Sequence, residues 1–465
     1  MNIDMQKNYF LLLLFILGTA VFQTACNNDD DEVTTTSANL VKNHDYKVIF
    51  QWNDVFLQVE RYAGGYRPGP APRALGLIGL ACYEACLSGM PEYQSVANLY
   101  PGLSIPAPES GVNYYWPAVI NSATGSLMKR FFVAVPADEF AKIGTLETVL
   151  EAEYAGKTDA ATLDKSKNFG RAVANAVWEW SKTDQYGHDQ YPDPFGNYNW
   201  QTEFDGNGDW VATFPGPGKP MYPFWGKART FAISETDKLC APPHPYSEET
   251  NSNYYAQGLE VYAQSGPTHS YEGKWIGEFW SDDLINVTFS PGPRWIAIAN
   301  QVYELEKCDL ETAVFCNVKT GMATADAAVA AWYSKYYYNV ERPVSYIQRE
   351  IDPNYVTPLN NPLTGDKGVT PSFPAFPSGH ATMGAAGAEA LSSVFGYNYA
   401  MTDKCHFGRA DFIGTPRSFN SFYEMAEENA WSRVPLGVHF RMDAEQGVNL
   451  GYRCGRKVNN LPWKK

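Results

Sequence analysis

The sequence predicts an all-α protein built from helical bundles, and three observations carry that expectation. Apolar residues recur at helical spacing in several segments, alternating strand-like patterns are scarce, and one helical stretch runs from about Leu310 to Val340. With 465 residues, 45% of them hydrophobic and 19% charged, the chain can bury a large core as one large or two to three ordinary domains.

The elements follow in order. Residues 73–88, RALGLIGLACYEACLS, read as a buried helix rich in small side chains. In NFGRAVANAVWEW, residues Phe169, Val173, Ala176, Val177 and Trp180 share one helical face, as do Trp295, Ile298, Ala299, Val302 and Leu305 further on. After the long stretch from Leu310, another helix follows the PSGH segment through Ser393, and a last one spans about Pro435 to Val458. Between about Asp184 and Tyr254 the chain turns irregular, too long for a bare loop in a compact domain, so it is expected to cover the fold or to function. Within it DGNGD sets Asp205, Asn207 and Asp209 like half a calcium loop. Trp210 stands where that loop needs glycine and Gly216 where it needs glutamate, so a turn is expected there instead.

The net charge of −15 argues against a nucleic-acid partner, which would call for excess Lys and Arg. Aromatics make up 15% of the chain, which suits a large core or a surface for flat ligands. At the N-terminus, Lys7 precedes an apolar run from Phe10 to about Phe22, too short to span a bilayer comfortably and laid out like a secretory signal. FQTAC resembles a bacterial lipobox, which implies lipidation at Cys26, and the following NNDDDE resembles the surface-export signal of Bacteroidetes lipoproteins. The expected layout is a signal peptide at 1–25, an acidic, Ser/Thr-rich tether at 26–40, an N-terminal helical region at 41–309 and a catalytic helical core at 310–465. The mature protein is expected to be exported and tied to the outer membrane only by its lipid. Seven cysteines remain after Cys26. An odd number leaves at least one free, none has zinc-ligand spacing, and Cys82 and Cys86, one helical turn apart, suit packing.

Three clusters in the last third bear chemistry. In WYSKYYYNVERP, Lys335 and Arg342 are seven apart, which predicts two cations on one helical face, with Pro343 ending the helix. In PSGH, Ser378 offers a hydroxyl and Gly379 allows close approach to the backbone at a helix start, where unpaired N–H groups suit an oxyanion; His380 adds a proton carrier. In WSRVPLGVHFRMD, Arg433 precedes a helix expected to start near Pro435. His439 and Asp443, at i and i+4, let the carboxylate hold one imidazole nitrogen and leave the other basic. Taken singly these read as a solvated face, a helix cap and a structural His–Asp pair.

Together, K-x6-R-P, P-S-G-H and S-R-x5-H-x3-D in that order resemble the superfamily that joins type 2 phosphatidic acid phosphatases with vanadium-dependent haloperoxidases. The resemblance implies helical bundles of that type. It implies that Lys335, Arg342, Ser378, Gly379 and Arg433 cradle a tetrahedral oxyanion, vanadate or phosphate. His439 then bonds vanadium or attacks phosphorus, His380 is the general acid–base, and Asp443 orients the histidine. It is strong over the last third, weak over RPGPAPRALGLIGLACYEA, and absent between. PSFPAFPSGH and ENAWSRVPLGVHFRMD look more like haloperoxidase segments, and Trp332 and Phe373 match aromatics that line the halide side of fungal chloroperoxidase-like sites. Glu341 departs from that pattern, standing where those enzymes carry an aromatic; it is expected to tune Arg342 or to face solvent.

The resemblance therefore implies a haloperoxidase whose cofactor is vanadate and whose substrates are hydrogen peroxide, a halide and an organic acceptor. A phosphomonoesterase working through a phosphohistidine at His439, with no cofactor, is the second reading. A non-catalytic, surface glycan-binding lipoprotein is the third. Halide preference and oligomeric state are not in the sequence.

Overall fold

The computed structural model describes residues 39–188, 198–199, 206–213 and 220–465. The expected signal peptide, Cys26, the expected tether up to residue 38, and Asp205 and Gly216 of the calcium-like segment lie outside the described residues. The described chain folds as helices with a single two-stranded ribbon. In chain order these are α1 (Lys47–Glu60), α2 (Pro70–Cys86), α3 (Trp116–Phe131), α4 (Ala137–Tyr154) and α5 (Ala160–Ser181). They continue with α6 (Asn253–Ser265), α7 (Tyr271–Phe279), α8 (Arg294–Glu306), α9 (Leu310–Tyr338) and α10 (Pro343–Glu350). The last are α11 (Gly379–Phe395), α12 (Phe422–Trp431) and α13 (Arg441–Asn459). Strands β1 (Met401–Asp403) and β2 (Arg417–Phe419) pair antiparallel, with Met401 opposite Phe419. Among the described residues no helix is long and apolar enough to cross a membrane.

Helix α9 is the central post. Asp309 caps it, accepting from the Thr312 N–H at 2.7 Å, and Asn339 ends it in the left-handed conformation. It packs against α2 on one side and against α11 and α13 on the other. Small residues set these spacings: a Cβ on Gly451 of α13 would meet the Thr382 carbonyl oxygen of α11 at 2.1 Å. The helices α3, α4 and α5 stack together outside α2. The seven described cysteines are all free, and Cys82 and Cys86 are buried in the packing of α2.

Two boundaries differ from the sequence expectation, and both matter for the site. The helix of Lys335 stops at Tyr338, so Arg342 is not on its face. Arg342 occupies the N-cap of α10 and Pro343 starts that helix, its fixed φ and missing N–H suiting the first turn. The last helix starts at Arg441 instead of near Pro435. Residues 432–439 form turns, with Gly437 at φ +75°, a left-handed conformation that stops a helix from running through. The irregular segment is stapled to α9 by buried Asp326, whose carboxylate accepts from the Phe231, Ala232 and Ile233 N–H groups at 2.7, 2.7 and 3.0 Å. In the DGNGD turn, Asp209 accepts from the Gly206 N–H, and no group of metal-binding side chains forms among the described residues.

Candidate active site

Four pieces of chain meet beside the C-terminal end of α9. Lys335, fully buried, donates to the carbonyls of Pro374 and Ala375 at 2.8 and 2.9 Å. Arg342, equally buried, donates from Nε to the Phe373 carbonyl and from Nη1 to the Val438 carbonyl, both at 2.9 Å. The ring of Phe373 lies between them, 5.1 Å from the Lys335 ammonium and 4.9 Å from the Arg342 guanidinium. Segment 373–375 thus aims two cations at one place. Ser378 caps α11, accepting from the Ala381 N–H at 3.3 Å, while its own N–H donates to the Asp443 carbonyl at 2.9 Å and ties α11 to the start of α13. Gly379 faces this corner: a Cβ on it would stand 3.3 Å from the Trp332 ring and 3.8 Å from Lys335 Cε.

His439 and Asp443 pair as their spacing suggests, but by a different construction. His439 precedes the helix, and Asp443 is the third residue of α13. Its Oδ2 accepts from the Phe440 N–H at 3.0 Å and lies 2.9 Å from His439 Nδ1. One oxygen therefore caps the helix and fixes the imidazole. The other ring nitrogen, Nε2, lies 3.2 Å from Arg342 Nη1. An arginine N–H only donates, so Nε2 accepts and the hydrogen sits on Nδ1, facing the carboxylate. Burial, then Arg342, Lys335 and Arg433, hold the His439 imidazole well below its usual range, so it is neutral.

Arg433 completes the ring of cations. Its Nη2 donates to Asp283 at 2.7 Å, and the other Asp283 oxygen lies 3.7 Å from His380 Nε2. Burial, followed by the Arg433 charge, pushes His380 down to about 3, with Asp283 working in the opposite direction. Lys335 is also held well below its usual range, by burial first and then by Arg342. Spacing within the sequence does not reveal Asp283. It stands some 150 positions from Arg433, its only signal being the acidic pair in WSDDLIN. Glu341 neither tunes Arg342 nor faces solvent: it is buried and takes both oxygens to Arg349, at 2.8 and 3.0 Å.

The structure thus brings together Lys335, Arg342, Ser378, Gly379, His380, Arg433, His439 and Asp443. Trp332 and Phe373, 4.9 Å apart, form one wall of the cleft they share with His380 and His439. Three basic side chains face two carboxylates, and burial pushes Asp443 up to about 7 as it pulls Lys335 down. Arg342 Nη2 and Arg433 Nε are buried without a hydrogen-bond partner. Unsatisfied buried donors of this kind call for a missing acceptor, and a tetrahedral oxyanion supplies several oxygens to forked guanidinium groups.

Comparison with known proteins gives the same direction. Residues 316–462 match the family model of the VCPO second helical-bundle domain. The vanadium chloroperoxidase of Curvularia inaequalis is 25% identical over 497 residues, covering 87% of this chain and 80% of that protein. A crystal structure of a bacterial vanadium-dependent iodoperoxidase superposes with a TM-score of 0.76 at 27% identity, covering 89% of this chain and 96% of the other. A holo bacterial vanadium-dependent chloroperoxidase, 17% identical, shares the fold with a TM-score of 0.62 over 86% and 95% of the two chains.

Proposed function

We propose that this chain, which is similar in sequence and fold to vanadium-dependent haloperoxidases, is a haloperoxidase that oxidises halide with hydrogen peroxide. The observation that carries this reading is a cluster of buried, under-satisfied cations and neutral imidazoles opening on an aromatic-walled, largely apolar cleft. The donor set fits vanadate. Lys335, Arg342 and Arg433 supply charge, the two arginines with forked N–H groups, the Ser378 hydroxyl and the first-turn N–H of Gly379 add neutral donors, and His439 Nε2, which accepts from Arg342, offers a nitrogen lone pair. Bound there, vanadate supplies Lewis-acid activation of hydrogen peroxide without changing its own oxidation state.

The remaining work falls to side chains. Neutral His380 takes a proton from incoming peroxide, and Asp283 stabilises the imidazolium that results. Asp443 keeps the His439 hydrogen on Nδ1, so that Nε2 stays available. Trp332 and Phe373 give halide a poorly hydrated flank, where a soft anion loses little by leaving water.

A paired assay tests the reading. After incubation with orthovanadate, hydrogen peroxide with bromide or iodide should halogenate a dione reporter, and His439→Ala should abolish this. Turnover of p-nitrophenyl phosphate without halogenation would select the phosphatase chemistry instead.

A further inference from the structure

The proposed reaction makes an oxidant, and two methionines, Met221 and Met383, line the cleft in which it forms. Thioether sulfur is soft and polarizable, and it takes up oxygen to become a sulfoxide. It has no proton to lose first, so contact with the oxidant decides which methionine reacts. Met383, though part of the wall, has no exposed surface. Met221 is partly exposed, and among the methionines of the described residues it alone is not buried. No described cysteine lines this cleft; Cys405, the one that is not buried, lies against a separate cavity.

Met221 is also fixed in place. Its N–H donates to the carbonyl of Ser372, the neighbour of Phe373, at 2.8 Å. Its own carbonyl accepts from Trp332 Nε1 at 3.2 Å and from the Tyr336 hydroxyl at 2.7 Å. The residue packs on the cluster of Tyr222, Trp225, Trp332 and Phe373. It therefore extends the aromatic wall that flanks the halide, in the cleft it shares with His380 and His439. An oxidant formed there has no other accessible thioether to meet among the described residues.

Resting on the haloperoxidase reading, we propose that Met221 is a modification site for the enzyme's own product. Hypobromous acid formed in the cleft oxidises it to the sulfoxide, and this sets how long the enzyme works. The sulfur lone pair takes bromine from oxygen, forming an S–Br bond as the O–Br bond breaks and hydroxide leaves. Water then adds to sulfur, bromide departs, and two protons are lost, one of them to the hydroxide. Sulfur gives up two electrons and bromine gains them. The sulfoxide puts a polar, chiral group on an aromatic wall, which loosens the packing of Trp332 and Phe373 and slows turnover. Methionine sulfoxide reductases reverse the change.

Peptide mass spectrometry reads the site. In vanadate-free protein, reagent hypobromous acid should oxidise Met221 about tenfold faster than Met383. The vanadate-loaded protein is then turned over with peroxide and bromide, with excess dione in solution to trap released oxidant. Met221 should gain one oxygen about tenfold faster than with peroxide alone. Met221→Leu, which keeps the volume without the sulfur, should lose bromination activity about threefold more slowly than the wild-type chain. Initial bromination of the dione reports the haloperoxidase chemistry separately. Bromination with Met221 left unoxidised, or oxidised no faster than Met383 or than by peroxide alone, overturns this inference alone, as does an equal loss of activity in Met221→Leu. No bromination overturns the haloperoxidase reading and this inference with it.

Discussion

His439 shows how much one carboxylate oxygen decides. Asp443 Oδ2 holds both the first turn of α13 and the imidazole, and the second ring nitrogen is left to Arg342. His380 is tuned differently, with no hydrogen-bond partner on Nε2, burial lowering its basicity and Asp283 at 3.7 Å raising it. If neutral His380 accepts the peroxide proton, kcat/KM for hydrogen peroxide is flat at high pH and falls as pH drops through the His380 pKa. An oxyanion beside it favours the imidazolium, so in the loaded enzyme this acid limb lies above the value of about 3 set by burial and Arg433. Replacing Asp283 by Asn removes a charge that stabilises the imidazolium. The limb should then move down by about one pH unit, read from peroxide kinetics at saturating vanadate. A limb that stays put or moves up removes Asp283 from that role.

The elements explain why some residues were legible in the sequence and others not. Period 3.6 is a local property, so α5, α8 and most of α9 show in their apolar spacing. Breaks are set by contacts further away. Tyr338 ends α9 because Asn339 turns left-handed and residue 340 runs on to bridge Asp209, which spacing between Lys335 and Arg342 does not encode. The cluster residues could be picked out by their order in the motif pattern, whereas Asp283 sits in no pattern and joins the cleft only by folding. Glu341 was legible as unusual but not as the partner of Arg349. The close contact of α11 with α13 gives an element-scale test. Gly451→Ala forces a methyl against the Thr382 carbonyl, and overpacking of this kind costs roughly 1–3 kcal/mol. Urea unfolding should show that loss. Because these two helices carry His380 and Asp443, the affinity for orthovanadate should fall together with the stability.

At the scale of the molecule, a chain of net charge −15 keeps a positive cluster in its interior. Burial first, and neighbouring cations after it, lower the basicity of Lys335, Arg342 and both histidines, so charge held in this cluster is costly until something neutralises it. An oxyanion that binds only the folded state should therefore raise stability by mass action. At one hundred times its dissociation constant, orthovanadate should add about 2.7 kcal/mol, read as a rise in melting temperature. The same concentration of sodium chloride should not reproduce it, because a buried cluster is poorly screened by salt.

Calorimetric titration of the purified protein with orthovanadate tests the central claim most directly. One equivalent should bind per chain, and Arg342→Ala, which deletes a forked and charge-assisted contact worth roughly 3 kcal/mol, should weaken it about a hundredfold. No saturable binding, or binding of equal strength in Arg342→Ala, would contradict the account.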